Sequence, residues 1–171
     1  TIGCGFAIGD AHTTVNGEFA KRNPAVIEFL TNYYVEPKPL AALEAYKAEA
    51  EVEWIDVAVK FLRENEDVWT TWITDDNKAD IVAGIKDQLA REDATKVAAA
   101  APAATAEPVV EESTEVIMFH DGQWGSNWVH LAIARYVLEN GYGRETKEVQ
   151  GSTGTMKLTL IEGDVHINME T

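Results

Sequence analysis

Two histidines stand beside carboxylates, His120 next to Asp121 and His166 near Asp164 or Glu170. Either pairing would suit general acid–base work, but no Ser or Cys sits in a nucleophile elbow and no His, Asp or Glu spacing matches a metal site. His12 and His130 read as surface or helix-flank residues. A second candidate is DGQWGSNW, Asp121 to Trp128, where two tryptophans flank glycine and small polar residues at the mouth of a helix. A tryptophan at such a turn brings its ring near the ligand crevice, and the first helical amides, roughly Gly125 to Trp128, are unpaired donors. An aromatic face with free amides suits a zwitterion that carries a bulky cation and a carboxylate. From pattern alone Trp124 is open to a ligand-facing or a packing role, whereas Trp128, one turn on, reads more readily as packing. GSTGT, Gly151 to Thr155, could hold a carboxylate or phosphate on backbone amides. It lacks the lysine of a P-loop, and an ordinary helix cap is its simpler reading.

Two segments flank a compositional break and must position these groups. In the window 94–113 eight residues are alanine, the rest are mostly Pro, Thr, Val and Glu, and none is aromatic, so it reads as a linker. The segment 114–171 alternates strand and helix. Val116–Phe119 is a continuous apolar run, Asn127–Asn140 an amphipathic helix ended by Gly141 as a C′ residue, and Thr146–Val149 a second strand. Thr155–Ile161 is a helix capped by Ser152 or Thr153, and Val165–Met169 a third strand. This order predicts right-handed crossovers and a parallel sheet, with ligands at the carboxyl ends of the strands, where both glycine-rich turns fall.

The segment 1–93 is mostly helical after a short strand at His12–Asn16. Asn23-Pro24 reads as an N-cap followed by proline at the first helical position. Helices are expected through Val26–Tyr34, over Leu40–Ala50 and over Trp54–Glu64, where Ile55, Ala58, Val59 and Leu62 form a stripe. Apolar faces follow at Val68–Ile73 and Ile81–Leu89, and Trp54, Trp69 and Trp72 are expected in the core.

The bulk numbers narrow the function classes. With 171 residues, 46% hydrophobic, the chain can bury a core. A formal charge of −15, from 29 acidic and 14 basic residues, disfavours nucleic acid. The single cysteine, Cys4, cannot form an internal disulfide. No apolar run approaches the roughly 20 residues of a membrane-spanning helix. No signal peptide opens the chain, but it begins with Thr1 rather than Met, which leaves open that both ends are cuts.

DGQWGSNWVHLAIARYVLENGYG followed by GSTGTMKLTLIEGDVHINME resembles the opening of the mature substrate-binding protein of quaternary-amine ABC transporters, the glycine betaine, proline betaine, carnitine and choline group. HTTVNGEFAKRNPAVIEFL and AVKFLRENEDVWTTWI are similar to the C-terminal part of the same family. The order is reversed, which implies either a window across two tandem modules or a circular permutation. The resemblance implies an α/β fold, one lobe of a type II periplasmic-binding-protein-like clamshell, with a short, mostly parallel sheet, flanking helices and an added helical segment. Residues 1–93 would be the C-terminal portion of a module, 94–113 the linker, and 114–171 the N-terminal βαβαβ portion.

It further implies capture of a quaternary ammonium solute outside the cytoplasm and delivery to a membrane permease, without catalysis or cofactor. The alternatives are a small α/β hydrolase using His120 and Asp121, or a structural module with no ligand. The implied ligand-binding set is Trp124, Gly125, Ser126, Asn127, Thr153 and Glu170. The family's middle section has no counterpart here, so the site is expected to be incomplete, with little or no measurable affinity and with lobe swapping or dimerisation open to it.

Overall fold

In the computed structural model, residues 12–97 and 115–170 are described. Cys4 and most of the expected linker lie outside them. The strand expected first is the short β1, Thr14–Val15. α1 (Gly17–Arg22) begins on Asn16, whose side chain accepts from the Phe19 amide at 2.8 Å. α2 (Pro24–Asn32) starts with proline at its first position, as the sequence predicts. Asn23, however, makes no side-chain cap. It is fully buried, donates to the Phe19 carbonyl at 3.0 Å and accepts from Arg144 at 2.7 Å.

α3 (Pro37–Ala50) leads to α4 (Trp54–Glu64), which has the boundaries expected from its stripe. The Asp56 carboxylate fixes the start of α4 by accepting from the Glu53 amide at 3.1 Å. Its buried face is Val57, Ala58, Val59, Phe61 and Leu62, while Ile55 is exposed. The short α5 (Glu66–Trp69) buries Trp69, whose indole N–H donates to the Leu62 carbonyl at 2.7 Å. Trp72 is buried with it, and α6 (Lys78–Val97) lays Ile81, Ile85 and Leu89 on the core.

The second segment builds β2 (Ile117–Asp121), α7 (Gly125–Asn140), β3 (Thr146–Gln150), α8 (Thr153–Glu162) and β4 (Ile167–Asn168). Ser152 caps α8 by accepting from Thr155 N, and Gly163 ends it at φ 88°, which favours glycine. The strand order is β1-β4-β2-β3, with β2 parallel to both β3 and β4. The parallel sheet expected from the alternation is therefore present, but β1 joins β4 antiparallel, which makes the sheet mixed. The third strand is shorter than its apolar run because only Ile167 and Asn168 pair.

The two segments share one sheet and one core, which runs from Phe19 through Phe61 and Ile85 to Val137 and Met169. α7, buried along most of its length, packs on α3, α4 and α6. Gly141 ends α7, as the sequence reading expects. Its φ is −98°, so it is not a left-handed cap. It is small because a Cβ there would lie 2.8 Å from Ile81 and 2.9 Å from Ile85, so α6 and α7 could not close up. Among the described residues no helix is long and apolar enough to cross a membrane.

Candidate functional site

Register fixes which side chains share a face. Phe119 pairs with Glu148 and Asp121 with Gln150, so these four point to one side of the sheet, and His120 with its partner Val149 to the other. Adjacent His120 and Asp121 cannot form a dyad. The buried His120 ring lies between two acceptors, Asn168 Oδ1 at 3.2 Å and the Gly151 carbonyl at 3.1 Å, and a neutral imidazole donates its single N–H to one of them. His166 makes no pair with Asp164 or Glu170. It stacks on Phe19 with ring centroids 4.5 Å apart, accepts from Met118 N at 3.2 Å, and lies 3.7 Å from Glu115. Burial lowers its basicity, partly offset by Glu115.

The turn after β2 is built to present a tryptophan. Gln123 takes φ 65°, and its amide donates to Asp121 Oδ1 at 2.9 Å. The Gly122 amide donates to Asn127 Oδ1 at 3.0 Å. The Trp124 ring folds back over Gly122 so closely that a Cβ there would fall 2.0 Å from the ring. Glycine at 122 is thus what lets the half-buried indole lie at the mouth of α7.

Trp124 Nε1 and Ser126 Oγ both donate to Glu170 Oε2, each at 2.7 Å. Glu170 follows β4, and its own carbonyl accepts from Asn168 Nδ2 at 3.0 Å. Close polar contacts therefore link Gly151, His120, Asn168 and Glu170 to the tip of α7. They join the carboxyl ends of β2, β3 and β4.

Of the sequence-predicted set, Trp124, Ser126 and Glu170 come together. Gly125 lies beside them and faces Glu44 of α3, for a Cβ at 125 would be 2.4 Å from Glu44 Oε1. Of the amides expected to be free, that of Trp128 donates to the Trp124 carbonyl at 3.1 Å, and Glu44 stands near the positive end of the α7 dipole. Asn127 is fully buried and braces the turn from within instead of forming a lip. Thr153 is exposed in the first turn of α8 and takes no part in these hydrogen bonds.

Sequence reasoning missed Tyr33, His130 and Glu44. The Tyr33 hydroxyl pairs with His130 Nδ1 at 2.9 Å, and its ring leans on Trp72 with centroids 4.7 Å apart. Burial, reinforced by the Glu170 charge, holds the Tyr33 phenol well above its ordinary range, and burial lowers His130 against the opposing pull of Glu170. His130 is therefore a half-buried partner of Tyr33 and not a surface residue. The paired tyrosines at 33–34 were the available signal, but their partner lies nearly a hundred residues away in sequence.

Trp128 packs against the rim of the core, as its packing reading expects. It is half-buried, donates from Nε1 to Asp121 Oδ1 at 2.8 Å, and packs on Trp54 at 5.4 Å between ring centroids. Trp54 is likewise half-buried, with Lys47 Nζ 5.3 Å from its ring, while Trp69 and Trp72 are in the core as expected. Among the described residues no three His, Cys, Asp or Glu groups converge to hold a metal. The Trp124 region can offer an aromatic surface and negative charge to a small cation. No family model matches the chain, and no curated protein matches it.

Proposed function

We propose that the chain is one lobe of a type II periplasmic-binding-protein-like clamshell that captures a quaternary ammonium solute outside the cytoplasm for delivery to an ABC permease. The observation that carries this reading is the pairing of Trp124 with the Glu170 carboxylate at the carboxyl ends of parallel strands. Such crevices are where open α/β sheets bind ligands. A trimethylammonium has no N–H to donate, so it is held by aromatic quadrupoles and diffuse negative charge, which Trp124 and Glu170 supply together.

One cation–π contact at an exposed position contributes about 0.5–1 kcal/mol, far below the cost of immobilising a ligand. The half-site therefore binds weakly, and a second lobe closing over it would supply the remaining contacts. Glu44 and Glu170 both bring negative charge to the mouth of α7, which favours a cation without a carboxylate, choline before glycine betaine.

The test is saturation-transfer NMR of choline methyl protons in the presence of the chain. Saturation is expected with the wild type and is lost with Trp124→Ala. Equal transfer to both proteins, or none to either, contradicts the proposal.

A further inference from the structure

On the other side of Asp121 lies a cavity of about 450 Å³, within the range of small-molecule sites. Trp54 and Trp128 stand on its wall, one from each segment, with ring planes tilted 38°. Asp121, Glu139, Glu148 and Arg135 also line it. The guanidinium of Arg135 is engaged by Glu148, by Thr146 Oγ1 at 2.7 Å and by Glu139 at 3.4 Å, so carboxylate charge remains in excess.

Asp121 is the informative residue. Only 3% exposed, it accepts two N–H groups on Oδ1, from Gln123 and Trp128. Both of these hydrogen bonds fall on Oδ1, which leaves Oδ2 free of them, and Asp121 lines the cavity. A ligand that brings an N–H to a carboxylate oxygen on the wall of a cavity gains a charge-assisted hydrogen bond.

We infer that this cavity is a second binding site, for a primary ammonium on a short alkyl stem. The ammonium donates to Asp121 Oδ2, and the stem lies against Trp54 and Trp128. Lys47, whose ammonium stands 5.3 Å from the Trp54 ring centroid, shows that this ring already accepts such a group. A quaternary ammonium does not satisfy the site because it has no N–H to give to Oδ2. The inference is independent of the Trp124 proposal, and its ligand class differs.

The experiment is a titration of the ¹⁵N-labelled chain, followed at the indole N–H signals, with butylammonium, tetramethylammonium and butan-1-ol. Butylammonium is expected to shift Trp54 and Trp128, and the other two to leave them in place. Asp121→Asn, which keeps the acceptor on Oδ1, weakens the butylammonium response about tenfold. Trp54→Leu, which removes one wall, weakens it about threefold. Tetramethylammonium acting as strongly as butylammonium on these signals overturns the inference, as does the absence of any butylammonium shift there. So does unchanged affinity in whichever variant keeps the wild-type amide dispersion. A response at Trp124 alone also contradicts this site, and it leaves the Trp124 proposal to its own test.

Discussion

Trp124 Nε1 donates to Glu170 Oε2 at 2.7 Å, tying the mouth of α7 to the residue that follows β4. Ser126 shares that oxygen, so the carboxylate both orients the indole and places negative charge beside its ring. Glu170→Gln keeps a hydrogen-bond acceptor while removing the charge. It is expected to cost roughly 1 kcal/mol of choline binding with little change in stability, measured by saturation transfer and thermal unfolding.

Gly84 lies inside α6, where alanine would ordinarily gain about 1 kcal/mol of helix propensity. A Cβ there would meet the Asn140 carbonyl oxygen at 2.6 Å, and that backbone atom cannot swing aside. Gly84→Ala is therefore expected to destabilise the fold by about 1–3 kcal/mol, the overpacking cost outweighing the propensity gain. Urea unfolding reads the sign directly.

Asn23 and Arg144 join the two segments through a buried hydrogen bond of 2.7 Å, and Asn23 Nδ2 also reaches Glu115 Oε2 at 3.3 Å. Removing the amide takes a partner from a buried guanidinium. Asn23→Ala is expected to cost about 2–4 kcal/mol in denaturant unfolding, well above the ~1 kcal/mol of a lost helix cap.

Legibility in the sequence followed the range of the interactions. α4 spans the range its apolar stripe marks, and α2 starts at Pro24, because periodicity and proline at a first helical position act within a few residues. The parallel β2, β3 and β4 followed from alternation and crossover handedness. Trp124 was picked out because a strand-to-helix turn is itself a local signal. Glu44 against Gly125, Tyr33 on His130 and Trp128 on Trp54 were not legible as pairs, since each depends on how distant elements meet. Gly141 shows the same limit: its identity marked a helix end, but its reason is the approach of α6.

Acid should destabilise the fold in two stages. Burial lowers His130 and His166 below the ordinary imidazole value of 6.5, so each favours folding when neutral. Their contribution is complete above pH 6.5 and is lost as pH falls through their depressed folded values. Glu115 is lowered from 4.5, chiefly by its hydrogen bond from Arg22, so its contribution is present above 4.5 and is lost at still lower pH. Thermal midpoints should hold steady from pH 8 to about 7 and then fall with acid. His130→Gln, which keeps a polar partner for Tyr33, should flatten the upper part of that decline.

The most direct measurement is the Trp124 indole ¹H–¹⁵N signal titrated with choline and with its neutral isostere 3,3-dimethylbutan-1-ol. Charge is the sole major difference between the two ligands, so recognition by the ring quadrupole and Glu170 predicts a saturable shift, with a dissociation constant on the order of millimolar or weaker, for choline alone. An indole that moves equally for both, or for neither, would contradict a quaternary-ammonium role for this lobe.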